Sequence, residues 1–263
     1  MHKIYYFLFI IMLGCVGCEW QFMSSDEETI AIDRYDRIQS LYLTTGDFSA
    51  MQQMNTVYPM QTRTLIEDVL RIGQVDDQQI NVKFLRFYQD STLQTLISEA
   101  EQQYASMDDI NKELTRAFKY LREHIPGLEF PEIYAQIGSL DQSIIVGNNT
   151  IGICLDKYLG PDYPLYHKPE YGYTESQLRM MDRKYIAPDC VVFYLLSLYP
   201  IPTQISGEQT GRDQHMGKIL WITNEAMGRE VFDTKYTKLV DQYMSRNKNV
   251  GLNQLLRETI ITE

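Results

Sequence analysis

Ile133-Tyr134-Ala135-Gln136-Ile137, followed by Ile144-Ile145-Val146-Gly147-Asn148-Asn149-Thr150-Ile151-Gly152-Ile153-Cys154-Leu155, is where the hydrophobic rhythm of this chain changes. Ile133, Ala135 and Ile137 alternate with Tyr134 and Gln136; Ile151, Ile153 and Leu155 alternate again after Gly147-Asn148-Asn149. A period of two belongs to a half-buried strand, and Gly-Asn and Asn-Asn suit the positive φ angles of a tight hairpin turn. The stretch predicts strand, strand, turn, strand, and hence a small antiparallel sheet of about three strands.

Upstream the period is helical. Leu93, Leu96, Ile97, Ala100 and Tyr104 fall at i, i+3, i+4, i+7 and i+11, with Asp90 or Ser91 to cap the start. Ile110, Leu114, Ala117, Phe118, Leu121 and Ile125 form a second stripe, capped by Asp108 and stopped by Pro126-Gly127. Leu65, Ile66, Val69 and Leu70 form a shorter one, ended by Gly73. Downstream, Thr174-x-x-Gln177 is a capping box and Pro188 suits the first turn of a helix. That helix carries Val191-Val192-Phe193-Tyr194-Leu195-Leu196, apolar all round, so it must be buried on most sides. A further helix spans 208–227, stopped by Gly228, and Tyr236, Leu239, Val240, Tyr243 and Met244 mark the last stripe. Stripes at this spacing are core faces. The reading is α+β, a mostly helical single domain over 29–263 around the small sheet.

The domain is preceded by an address. Met1-His2-Lys3 leads into an apolar run, Ile4-Tyr5-Tyr6-Phe7-Leu8-Phe9-Ile10-Ile11-Met12-Leu13. As a helix the run spans about 15 Å, roughly half a bilayer core, so it is a signal-peptide core and not a membrane span. Gly14-Cys15-Val16-Gly17-Cys18 follows, and a small residue before Cys here resembles a bacterial lipoprotein cleavage site. Both Cys15 and Cys18 qualify. Cys18 is preferred, with Cys15 the alternative, because polar Glu19-Trp20-Gln21 follows Cys18 at once. The expectation is a signal peptide over 1–17, an acylated (palmitate-bearing) Cys18 and an acidic tether over 18–28, where several acyl chains on one Cys anchor the body stably. Plain secretion is the alternative.

Composition narrows the chemistry. Lys+Arg is 24 against Asp+Glu 35, a net charge of −11, and such a chain repels phosphate backbones; no nucleic-acid partner is expected. Four Cys and four His among 263 residues argue against a disulfide scaffold or a Cys-rich zinc module. No two His lie three or four apart, and H-E-x-x-H, G-x-S-x-G and both phosphate-loop patterns are absent. His167 lies among Asp162, Glu170 and Glu175, which leaves a His/carboxylate site to weigh against an exposed loop His. Cys190 sits in the first turn of its helix, where a thiol pKa falls, yet Asp189 beside it opposes the thiolate; two buried small residues, or a Cys154–Cys190 disulfide, are the other readings. Asp156, Asp162, Asp182 and Asp189 could supply paired carboxylates, or be solvated loop acids. Tyr158, Tyr163, Tyr166, Tyr171 and Tyr173 cluster among Pro161, Pro164 and Pro169: a binding surface for peptide or glycan, or a stiffened loop pinned by its rings.

The same segment carries a family resemblance. Ile151-Gly152-Ile153-Cys154-Leu155-Asp156-Lys157-Tyr158-Leu159-Gly160-Pro161-Asp162-Tyr163-Pro164-Leu165-Tyr166 resembles the hallmark I-x-L-D-x-Y-L-G-x-D-x-x-x-Y of the gliding-motility lipoprotein family GldB. Ile32-Asp33-Arg34-Tyr35-Asp36, Tyr58-Pro59, Phe130-Pro131-Glu132-Ile133-Tyr134, Tyr185-Ile186-Ala187-Pro188-Asp189 and Met216-Gly217-Lys218-Ile219-Leu220-Trp221 are similar to further family stretches. The resemblance implies a Bacteroidetes cell-envelope lipoprotein, of a family some of whose members are needed for gliding; the expected location is lipid-anchored in the outer membrane. It also implies an arrangement similar to a degenerate zincin; the helix where metal ligands would lie has no His, and Met216 stands where a carboxylate ligand would. The expectation is therefore a non-enzymatic protein without metal or cofactor that binds an envelope protein partner through Asp156, Tyr158, Asp162, Tyr163 and Tyr166. Asp156 is expected to brace the loop through backbone N–H groups, and Asp189 to serve as an N-terminal helix charge. The alternative is an envelope hydrolase or glycan-binding lipoprotein using the 156–173 segment.

Overall fold

The computed structural model describes residues 28–258. The signal peptide, Cys15, Cys18 and the tether up to residue 27 lie outside the described residues.

Strands β1 (Glu132–Gln136), β2 (Ile144–Val146) and β3 (Thr150–Cys154) form one sheet in the order β1-β3-β2. β2 and β3 are the expected hairpin: Ile145 faces Gly152, Gly147 N donates to Thr150 O at 2.9 Å, and Asn149 takes φ 55° at the turn. The antiparallel expectation is corrected at β1, which runs parallel to β3, with Ile133 opposite Ile151 and Ala135 opposite Ile153. The cause is topological. After β1 the loop 137–143 steps over one strand position, and the hairpin then returns β3 into the gap. An alternation of period two reads the same in either direction, so it could not tell the two pairings apart. The free edge of β1 is covered by Asp33, whose N–H donates to Ile133 O at 2.8 Å and whose carbonyl accepts from Ala135 N at 2.9 Å.

The opening stretch around Asp33 is therefore part of the frame. Tyr35 is fully buried, its hydroxyl 3.1 Å from Thr62 Oγ1 and its ring 5.4 Å from that of Tyr58. Arg34 holds the buried Asp36 through Nε and Nη2 at 2.8 and 2.6 Å.

Helices α1 (Tyr35–Thr45), α2 (Phe48–Thr56), α3 (Pro59–Arg63), α4 (Ile80–Tyr88), α5 (Ser91–Gln103) and α6 (Asp108–His124) precede the sheet. Asp90 caps α5 as expected, accepting from Thr92 N and Leu93 N at 2.8 and 3.3 Å. Leu96, Ile97 and Ala100 of α5 and Leu114, Ala117, Phe118 and Leu121 of α6 are wholly buried. Asp108 does not cap α6; it is the first helical residue, and its N–H donates to Ser106 Oγ at 3.2 Å. The short stripe at 65–70 is a π-helical turn, Thr64–Val69, ended by Arg71 at φ 53° rather than by Gly73.

After the sheet come α7 (Glu175–Met180), with its Thr174–Gln177 capping box formed, and α8 (Ile186–Leu198). Helix α8 packs against β2, β3 and α6, with Ile186, Cys190, Val191 and Leu195 wholly buried. Each such aliphatic side chain contributes about 1.5–3 kcal/mol. Helix α9 (Gln209–Met227) ends at Gly228 with φ 65°, and packs on α6, α8, α10 (Lys235–Arg246) and α11 (Leu252–Arg257). Gly217 allows the close approach to α10: a Cβ there would lie 2.5 Å from Tyr236 Cβ. Among the described residues no helix is long and apolar enough to cross a membrane.

Candidate functional site

The hallmark segment leaves β3 in a 3-10 turn, Leu155–Lys157, and then forms an irregular loop. Its shape is set from inside. Asp156 is fully buried, and its carboxylate accepts from Gly138 N at 2.6 Å and Leu140 N at 2.7 Å. Burial pushes the carboxyl above its usual range, against the opposing pull of these backbone donors. Leu140 holds φ 67°, a left-handed conformation that costs a branched side chain about 1–2 kcal/mol. Its carbonyl accepts from Lys157 Nζ at 3.1 Å and from Tyr173 Oη at 2.6 Å. Both backbone polar groups of this strained residue are thus held by the segment that follows β3.

The tyrosines do similar work. Tyr166 donates to Asp156 O at 2.5 Å and accepts from Leu159 N at 3.0 Å, closing the loop upon itself. Tyr104, at the C-terminal cap of α5, donates to Tyr158 O at 2.5 Å, and Tyr158 donates to Asp189 Oδ2 of α8 at 2.8 Å. Burial raises the Asp189 carboxyl to about 7, although Tyr158 pulls it down. Asp189 does lie in the first turn of α8 as expected. The helix field there favours a negative charge, but desolvation outweighs it.

The five residues expected to form a contact surface therefore separate. Asp156, Tyr158 and Tyr166 are buried. This corrects their expected place on the surface: their polar atoms are engaged by backbone groups and by Asp189, so they tie the loop to the body of the fold. Asp162 is exposed and Tyr163 half-buried, its ring edge-on to Tyr166 at 5.0 Å. The brace expected of Asp156 is present, through Gly138 and Leu140.

The other candidates are placed as follows. His167 is exposed and its Nε2 lies 2.9 Å from Pro161 O; neither it nor a second acid bonds Asp156. Cys154 and Cys190 are free, buried thiols, and burial pushes both far up. Among the described residues no group of three or more His, Cys, Asp and Glu could hold a metal ion. Tyr171 and Tyr173 stack 5.9 Å apart at 7° from parallel, but Tyr173 also carries Lys157 Nζ at 4.1 Å and the edge of Tyr166.

Sequence reasoning missed the partner of this loop, 137–141, because no pattern marks Leu140 as left-handed. It also passed over His215 and Lys218, both buried in α9. Lys218 Nζ donates to Glu258 O, and His215 Nε2 lies 2.8 Å from Tyr199 O while Nδ1 has no partner among the described residues. Burial lowers the pKa of both. Their i, i+3 spacing was the available signal.

A family model described as gliding motility protein GldB matches residues 19–234. No curated protein and no solved structure matches the chain.

Proposed function

Since the chain belongs to the GldB family of gliding-motility lipoproteins, a family of the cell envelope, we propose that it is a non-enzymatic outer-membrane lipoprotein, acylated at Cys18, that binds a protein partner through the outer side of the 155–173 loop. The family match begins at Glu19, one residue after the proposed acylated cysteine. The observation that carries the partner reading is the bracing of that loop. Asp156, Tyr158, Tyr166 and Lys157 spend their polar atoms holding an irregular backbone in one shape, which leaves Asp162 and Tyr163 presented on a rigid support. Pre-ordering a surface loop removes a conformational cost that a partner would otherwise meet. An acid committed to two backbone amides is poorly placed to move protons for a substrate.

The stacked Tyr171 and Tyr173 rings support a second reading, a glycan platform. With Tyr173 already covered, only Tyr171 offers a ring to a sugar. A protein partner makes fuller use of the face.

The test is cross-linked pull-down from intact envelopes, comparing wild type with Asp162→Arg and Tyr163→Ala. The reading expects a stoichiometric partner with wild type and its loss with either variant, at unchanged membrane attachment. Recovery of no stoichiometric protein, or equal recovery from all three forms, sinks it.

A further inference from the structure

Two basic side chains lie inside the helical half of the molecule. His215 and Lys218 stand at i, i+3 on α9 and are 1% and 0% exposed. A backbone carbonyl only accepts, so the contact of His215 Nε2 with Tyr199 O places the ring proton on Nε2. Nδ1 of the neutral ring then carries a lone pair, and it is this atom that has no partner among the described residues. A buried polar atom left in this way calls for an explanation.

The cover over the pair is the last helix. Helix α11 packs on α9 with Leu252, Leu255 and Leu256 buried. Three polar ties hold it down: Lys218 Nζ to Glu258 O, Tyr243 Oη to Glu258 Oε2 at 2.8 Å, and Tyr199 Oη to Asn253 Oδ1 at 3.4 Å. Tyr199 joins the two systems, its carbonyl on His215 and its hydroxyl on α11. Six residues are too few for a helix to persist unaided, so α11 exists through these contacts.

The charged groups around His215 leave a second proton on the ring without an acceptor. On α9, Lys218 is a cation one turn away, while Arg212 and Asp213 are engaged by Ser206 and Gln209. From α10, Tyr243 bonds Glu258, Lys238 pairs with Asp233, and Asp241 accepts from Trp221. On α11, Arg257 bonds Asn253, and the Glu258 carboxylate accepts from Tyr243 and Gln254. From α6, Glu113 holds Arg229, and His124 lies beside Glu225, about 15 Å further along α9. Burial, and then the Lys218 charge, hold the His215 pKa below its usual 6.5, against the pull of Tyr199 O.

We propose that α11 is an acid-released strap: a proton from solvent on His215 Nδ1 puts an unanswered donor and a second positive charge beside Lys218, and α11 undocks to let water reach both. Undocking uncovers Leu252, Leu255 and Leu256, so the molecule presents an apolar face in acid that it hides at neutral pH. The strap is independent of the partner reading of the 155–173 loop, since it involves other helices and no second protein.

The experiment is hydrogen–deuterium exchange of the full mature protein in neutral detergent at about pH 7.5 and about pH 5.5, with rates corrected for the intrinsic effect of pH. Wild type is compared with His215→Gln, whose amide can still donate to Tyr199 O and does not titrate. The amides of 255–258 in wild type are expected to lose up to about ten-fold of their protection in acid, the limit set by one proton taken up in the unit below 6.5, while those of α8 keep theirs. In His215→Gln the protection is expected to be the same at both pH values. Asp189 cannot mimic the effect, because acid converts it to the form that burial favours. An equal acid loss in both forms, or a loss shared evenly by α8 and α11, would overturn the proposal. A second measurement needs no variant: in wild type labelled at histidine, the His215 ring resonances are expected to move to the protonated form together with the loss of protection at 255–258. A ring that protonates at its usual 6.5 while those amides stay protected would overturn it as well.

Discussion

Asp189 converts the internal wiring of the loop into a pH dependence that can be measured. Its carboxyl is 7% exposed, has a single side-chain donor in Tyr158, and titrates at about 7 against a usual 3.8 because burial penalises the charge. A carboxyl whose folded pKa lies above its unfolded value stabilises the fold when protonated. That contribution is complete below 3.8 and is lost as the pH rises through about 7. Between about pH 5 and about pH 8 the loss from this one group is roughly 2.5 kcal/mol. Asp189→Asn keeps an oxygen for the Tyr158 hydroxyl and removes the charge. Urea unfolding of wild type and variant, followed by circular dichroism at several pH values, isolates the effect as a difference of two profiles. The wild-type midpoint is expected to fall relative to the variant by about 1 M across that range, given the unfolding slope of a chain this size. The variant is expected to be the more stable form at the alkaline end. Parallel profiles would refute the reasoning, since they would mean that Asp189 carries its charge in the fold at little cost.

Other outcomes follow from the same geometry. Asp156→Ala strands the Gly138 and Leu140 amides in the interior and is expected to cost about 4 kcal/mol in urea unfolding, with faster proteolysis at 137–141. Gly152→Ala places a Cβ 2.6 Å from the Tyr134 ring across the parallel pair; overpacking of about 1–3 kcal/mol is expected, read as a lowered thermal midpoint. Cys18→Ser is expected to release the protein from the membrane fraction, whereas Cys15→Ser leaves it attached; the reverse pattern would move the anchor to Cys15.

Much of this fold could be read from residue patterns because its local rules agree with its packing. The α5 and α6 stripes, the Thr174–Gln177 box and the stop at Gly228 each follow from spacing within one turn or two. What escaped depends on residues distant in the chain. The orientation of β1 is decided by which strand fills the gap beside it, and nothing in its five residues encodes that. The π-helical turn at Thr64–Val69 uses the same apolar residue types as an α-helical turn. In the loop, the aromatic cluster stood out plainly, but not which rings face inward. Tyr158 and Tyr166 are buried because Tyr104, Asp189 and the Asp156 carbonyl lie beneath them, whereas Tyr163 stays at the rim. The family resemblance drew attention to this segment; in the structure most of its hallmark side chains serve the architecture of that segment.

The left-handed Leu140 has a practical implication for protein engineering. Its amide and carbonyl are clasped by Asp156, Lys157 and Tyr173, so two stretches separated by the β2–β3 hairpin act as mould and cast. A chimera that transplants 155–173 alone into another scaffold would inherit the spelling of the loop without its contour. A portable module has to begin at Ile137 and bring the hairpin with it.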